Sequence, residues 1–207
     1  MEAVLFDMGG VLTDSPFEAF TRYEQENGLP GDFIRTLNAA DHHENACARL
    51  ERNEIDFDTF CDAFEAEASA VGGRLDARAL FAMFSGVVRP QMLEAVRRCR
   101  RHFKTGLLTN NFLLPGDEAA QGEALTEVLT LFDAVVASSQ VGMRKPDPRF
   151  YELACRELGV VPHRAVFLDD LGVNLKPARA LGMVTIKVKQ PEVALGELEA
   201  VLGIGLR

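Results

Sequence analysis

Five short apolar runs rich in β-branched residues punctuate the chain, at 3–7 (AVLFD), 104–109 (KTGLLT), 133–137 (DAVVA), 165–169 (AVFLD) and 184–188 (VTIKV). Each has the length of a strand. In AVLF and AVFL the apolar residues are consecutive rather than alternate, which predicts strands covered on both faces, as in a parallel sheet. Helical patterns alternate with these runs. Pro90 opens a helix through His102, Pro148 opens one that ends near Gly159, a third follows Asn174 and stops at Gly182, and a fourth spans 191–202. Strands alternating with helices imply right-handed crossovers and a doubly wound, Rossmann-like α/β fold.

The stretch 15–86 breaks this rhythm, because it holds no convincing strand. Ser15-Pro16-Phe17-Glu18 reads as a capping box with proline at the first helical position, and Gly28 supplies the stop. Further helices are predicted at 30–39, 42–52, 57–70 and 76–85, with breaks at Gly72-Gly73 and Gly86. The expected organisation is therefore a sheet core from 1–14 and 87–207 with a helical cap, 15–86, inserted after the first strand.

Composition narrows the partners. The formal net charge of −9 argues against a nucleic-acid surface and against anionic membrane. No apolar run is long enough for a transmembrane helix. The N-terminal Met1-Glu2-Ala3-Val4 enters a strand without a basic region, so the chain reads as cytoplasmic. Cys47, Cys61, Cys99 and Cys155 form no CxxC pair and read as reduced, mostly buried thiols. One basic cluster, Arg97, Arg98, Arg100, Arg101 and Lys104, sits where cations complement the negative end of a helix. Oligomeric state is not legible.

Ligands of open α/β sheets bind beyond the carboxyl ends of the strands. There the first strand presents Asp7, the second Thr109-Asn110-Asn111 and the fourth Asp169-Asp170, while Arg144-Lys145-Pro146 follows the third. Singly, each is an ordinary turn, cap or solvated residue. Together they bring carboxylates, a hydroxyl and a lysine to one edge. Carboxylate oxygens with open positions suit Mg²⁺, and the hydroxyl and lysine suit the charge of a transferring phosphoryl group. Adjacent carboxylates such as Asp169-Asp170 repel unless a cation holds them.

These segments resemble the four motifs of the haloacid dehalogenase (HAD) superfamily: Phe6-Asp7-Met8-Gly9-Gly10-Val11, Leu108-Thr109-Asn110, Lys145-Pro146-Asp147 and Phe167-Leu168-Asp169-Asp170, in that order. Phe167 to Leu206 is especially similar to HAD-like domains fused to epoxide hydrolases and acyl-CoA dehydrogenases. The resemblance implies a Mg²⁺-dependent phosphatase acting on a small phosphorylated molecule. By it, Asp7 is nucleophile and metal ligand, the Gly9 carbonyl and Asp170 complete the protein's metal ligands, and Asp169 acts through water or from behind. Thr109 and Asn110 would hold phosphoryl oxygens, Lys145 would bridge Asp7 and phosphate, and Asn174 would order the loop behind Asp170 or serve the helix that follows.

One position departs from the pattern. Most HAD phosphatases read Asp-x-Asp, the second aspartate being the general acid and base, and here it is Gly9. Such proton transfer is worth about 10²–10⁴-fold. Asp14, His42 and His43 are the substitutes the sequence offers. Gly9 keeps a second reading open, a feebly active module that binds Mg²⁺ and phosphate for regulation or partner binding. A metal-free 2-haloacid dehalogenase is disfavoured by the Asp-Asp pair, a phosphoacceptor receiver domain by chain order, and a dinucleotide fold by the lack of GxGxxG.

Overall fold

The computed structural model describes residues 1–84, 86–110 and 127–206. Five parallel strands, β1 (Ala3–Phe6), β2 (Lys104–Thr109), β3 (Ala134–Ala137), β4 (Ala165–Asp169) and β5 (Val184–Lys187), form one sheet in the order β3-β2-β1-β4-β5. All five fall on the apolar runs. The sheet is covered on both faces, as the unalternated runs require. Val4 and Phe6 pack with Met92, Ala95 and Val96 of α6 (Pro90–Cys99) and with Leu195 and Leu198 of α10 (Pro191–Leu202). Ala3 and Leu5 face Phe150, Tyr151 and Ala154 of α8 (Pro148–Leu158) and Leu175 and Ala178 of α9 (Gly172–Ala180). Complete burial of such side chains stabilises by about 1.5–3 kcal/mol each.

The stretch after β1 is helical, as read: α1 (Pro16–Glu26), α2 (Phe33–Ala39), α3 (Ala46–Glu51), α4 (Phe57–Ala70) and α5 (Ala77–Phe81). These helices share their own buried cluster around Phe20, Ile34, Phe60, Phe64 and Leu80. Their starts are capped by side chains: Ser15, Asn45, Asp56 and Asp76 locally, and carboxylates from neighbouring helices elsewhere. Glu24 accepts from Asp32 N and Ile34 N, Glu67 from Ala46 N, and Glu65 from Ala77 N. The two connections to the sheet run side by side. Thr13 and Val88 form an antiparallel bridge, flanked by Asp14 N to Val87 O (3.0 Å) and Arg89 N to Leu12 O (2.8 Å).

Several boundaries differ from expectation. The helices expected at 30–39, 42–52 and 76–85 are shorter, because Asp32 adopts positive φ at the start of α2 and residues 41–45 turn before α3. The helix expected to follow Asn174 starts at Gly172 and takes Asn174 into its first turn. The helix from Pro90 ends at Cys99, not His102. A further helix, α7 (Ser138–Val141), follows β3. Three of the basic residues near the end of α6 have acceptors: Arg97 lies 3.6 Å from Glu127, Arg98 2.9 Å from Glu94, and Arg100 donates to Thr130 O. Lys104, at the start of β2, donates to Leu158 O. The four cysteines are free thiols, three of them buried. Among the described residues no helix is long and apolar enough to cross a membrane.

Candidate active site

The strand order reverses between β1 and β4, and the crevice at such a reversal is where α/β sheets take ligands. The register puts Phe6 beside both Leu107 and Leu168, so Asp7, Leu108 and Asp169 come out level at the carboxyl edge. Asp7 N bonds Leu168 O at 2.9 Å, which anchors the residue before the chain turns away.

Over Met8–Leu12 the chain makes a wide turn closed by Thr13 N to Met8 O (3.0 Å). Asp7 accepts from Met8 N at 2.7 Å. Gly10 sits at φ +73, and a Cβ there would lie 2.3 Å from Oδ2 of Asp170. A glycine is needed both for the backbone and for the closeness of that carboxylate. Gly9 differs: its φ is −65, and a Cβ would meet nothing nearer than Pro16 Cδ at 3.6 Å.

Lys145 is fully buried and bridges two carboxylates, 2.7 Å from Asp7 Oδ1 and 2.8 Å from Asp169 Oδ2. Asp169 is also buried and fully engaged, accepting from Leu171 N (2.7 Å) and from the Asn174 amide with both oxygens (3.1 and 3.0 Å). Tyr151 donates to Asn174 O at 2.7 Å. Asn174 therefore orders Asp169, not Asp170. Asn110 clamps the main chain of Lys145: its Oδ1 accepts from Lys145 N (2.9 Å) and its Nδ2 donates to Lys145 O (3.0 Å). Thr109, at the end of β2, is buried beside it, and Asn111 lies outside the described residues.

Asp7, Asp169 and Asp170 each offer an oxygen within 4.8 Å of the others. One lysine cannot balance three carboxylates in this space. Burial raises the Asp7 carboxyl well above the ordinary range, Lys145 opposes this, and Asp169 and Asp170 add to it. Burial works against the Lys145 charge, yet Asp169 and Asp7 outweigh it and keep the ammonium protonated. Asp170 is pushed up to about 6 by burial and by Asp169, against the pull of Lys145 and Arg89. A divalent cation among these oxygens would relieve that repulsion, and hard carboxylate donors fit Mg²⁺.

Because the folded protein raises the Asp170 pKa, the ionised form is disfavoured by folding. The cost is absent below about pH 3, grows as pH rises through the ordinary carboxylate range toward 6, and is nearly complete at pH 7. Asp170→Asn should therefore stabilise the metal-free protein at pH 7 by up to about 3 kcal/mol, a rise of some 5–10 °C in melting temperature. The gain should vanish below about pH 3. A variant that melts below the wild type at pH 7 would contradict this electrostatic account.

Of the residues offered in place of a second aspartate, Asp14 accepts from Gly10 N through its main-chain oxygen at 3.1 Å, and His42 accepts from Arg144 through its own at 2.6 Å. His42 and His43 are exposed in the turn before α3 with rings 4.1 Å apart, and Asp14 lies in the connection beside Val87. Sequence reasoning missed Glu51 at the end of α3. Its Oε2 is 2.6 Å from Nε of Arg144. Burial raises its carboxyl against the pull of Arg144. The one signal was an acidic residue in the last turn of a helix, where the dipole disfavours it.

Residues 1–182 match the family model for haloacid dehalogenase-like hydrolases. The chain is 36% identical over 99% of its length to mouse acyl-CoA dehydrogenase family member 10, and 34% identical over 98% to mouse bifunctional epoxide hydrolase 2. It spans only 19% and 39% of those two proteins. It is 34% identical to a phosphatase of Mycobacterium tuberculosis, covering 88% of this chain and 85% of that one. A HAD-family enzyme from Bacteroides thetaiotaomicron, solved as a complex with magnesium and inorganic phosphate, has the same fold, with TM-score 0.62 at 18% identity over 90% of this chain and 93% of that one. A full-length motif set, the parallel sheet with its reversal at Asp7 and Asp169, and these likenesses agree: the chain belongs to the haloacid dehalogenase-like hydrolases.

Proposed function

We propose that this protein is a Mg²⁺-dependent phosphatase that cleaves a small organic phosphate through an aspartyl-phosphate on Asp7. The observation that carries this is the Lys145 bridge: one buried ammonium held at hydrogen-bond distance by both Asp7 and Asp169, at the edge of the sheet where Asp170 also points. Mg²⁺, held by Asp7, Asp170 and the Gly9 carbonyl, would supply positive charge to the phosphoryl oxygens. The carbonyls on either side of Gly9 are already taken, Met8 O by Thr13 and Gly10 O by Arg89 (2.7 Å). Asp169, saturated by Lys145, Leu171 and Asn174, serves from behind.

In the reaction, an Asp7 carboxylate oxygen attacks phosphorus and the bond to the leaving oxygen breaks. Lys145 would offset charge on the phosphoryl group and the Thr109 hydroxyl would donate a hydrogen bond to it, and the leaving oxygen would depart as an anion that takes its proton from solvent water. Water then cleaves the Asp7–phosphoryl bond and releases inorganic phosphate. Asn110 contributes by fixing the main chain of Lys145, its side chain being committed there. The phosphatases among the relatives support the reaction class. The helical insert stands as the cap that selects the leaving group.

Purified protein should release phosphate from p-nitrophenyl phosphate with Mg²⁺ and lose at least about 10²-fold in rate with EDTA. Asp170→Ala should weaken Mg²⁺ binding in calorimetry more than Asp169→Ala does. Mg²⁺ binding without turnover of any phosphomonoester in a broad panel would instead support the binding-module reading that Gly9 invites.

A further inference from the structure

The cap carboxylates divide by what they serve. Glu24, Glu65 and Glu67 each satisfy the start of another helix within the insert. Glu51 instead reaches across to the sheet unit. It meets the guanidinium of Arg144 at 2.6 Å, and so reaches the segment that carries Lys145. Arg144 is its covalent neighbour. Asn110 grips its N–H and its C=O. Arg144 also donates to His42 O at 2.6 Å, a second tie to the same edge of the insert. The pair is largely covered, with side-chain exposures of 20% and 17%, so water does little to screen it.

We infer that Glu51 is a positioning residue for Lys145: through Arg144 the helical insert holds one side of the main chain from which the bridging ammonium projects, while Asn110 at the sheet edge holds the other. The reach of the Lys145 side chain is fixed at both ends, by Asp7 and Asp169 at Nζ and by this cluster at the backbone. Loosening the backbone lets Nζ follow the carboxylates in the resting protein but drift when one of them takes up a phosphoryl group. A misplacement of about 1 Å at such a group costs on the order of 10²-fold in rate. In its effect on turnover this role rests on the phosphatase reading above. Its effect on the backbone does not.

Two measurements on the full chain separate those claims. In Glu51→Ala, amide hydrogen exchange at Lys145 should quicken by about tenfold or more, with the amides of β4 unchanged. On p-nitrophenyl phosphate, kcat should fall by about tenfold or more while KM moves less than about threefold. Glu51→Gln keeps an acceptor for Arg144 and should retain most of kcat. Arg144→Ala, which removes the partner from the sheet side, should reproduce the exchange result.

Unchanged exchange at Lys145 in both alanine variants overturns the inference whatever turnover does. So does quickened exchange through β4, which would make Glu51 a general packing residue. A loss confined to KM, with Lys145 exchange unmoved, points to direct substrate contact and also overturns it. If exchange quickens at Lys145 alone and the wild type hydrolyses no phosphate ester, the positioning role holds and the phosphatase reading falls.

Discussion

Asp7→Asn abolishes phosphate release while leaving the fold intact. The expected loss is at least about 10⁴-fold, the scale seen when a covalent nucleophile is removed. An amide oxygen cannot form a stable bond to phosphorus and then be regenerated by water, so no partial pathway through the same intermediate survives. The substitution is close to isosteric. The new amide keeps an oxygen for Met8 N and for the Lys145 ammonium, contacts now made by Asp7 at 2.7 Å each. It also removes one negative charge from a cluster that holds three. The variant should therefore melt no lower than the wild type, and the loss is chemical, not structural. The measurement is phosphate release from p-nitrophenyl phosphate with a thermal melt alongside. Retention of most of the activity by a folded Asp7→Asn protein would show the nucleophile to be elsewhere.

Gly9→Asp should act in the opposite direction. On the proposed reading, with no carboxylate at this position the leaving oxygen would depart unassisted, so the wild type should favour leaving groups of low pKa, with acyl and aryl phosphates ahead of alkyl phosphates. Supplying the acid should raise kcat/KM on alkyl phosphates by about 10- to 100-fold, up to the lower end of the roughly 10²–10⁴-fold that general acid–base catalysis contributes, and change aryl phosphates little. The backbone permits the change. Gly9 has φ −65 and ψ 130, and the new Cβ would find only ordinary contact with Pro16. The adjacent glycine is the forbidden one, since at Gly10 the same atom would strike Asp170. A folded Gly9→Asp protein with no gain on any alkyl phosphate would mean that another group already delivers the proton, or that the natural ligand is bound and not cleaved.

The strands and the residues at their ends were legible because both depend on local sequence. An uninterrupted apolar run must be buried on two faces, and in a parallel sheet its last residue emerges at one common edge. That logic carried Asp7, Thr109 and Asp169 to the same place. It failed where a side chain's partner is set by tertiary packing. Asn174 looked like a terminus signal, yet its amide is spent on Asp169, and α9 starts at Gly172 with Asp169 accepting from Leu171 N. Asn110 read as a phosphate contact, and its side chain instead holds the main chain of Lys145. Glu51 was invisible because its partner lies 93 positions away, in a segment that meets it only when the insert folds over the sheet.

The side-by-side connections at Thr13 and Val88 change what sequence distance means for the folding kinetics of the sheet. β1 pairs with β2 at Ala3 and Lys104. Closing a flexible loop of about 100 residues costs roughly 4 kcal/mol of chain entropy before any contact repays it. Most of that loop is the helical insert, whose buried cluster is built from its own residues. Its first and last segments already touch, with the Phe20 and Phe84 rings 5.7 Å apart and Arg22 donating to Met83 O at 3.0 Å. Once those contacts form, Thr13 and Val88 are delivered to each other and the effective loop shrinks to the short lengths of chain on either side of the bridge. The insert then works as a built-in splint. A contact that is distant along the chain becomes local in the order of assembly, and the slow search that parallel pairing normally imposes is shortened by a part of the molecule that contributes no strand.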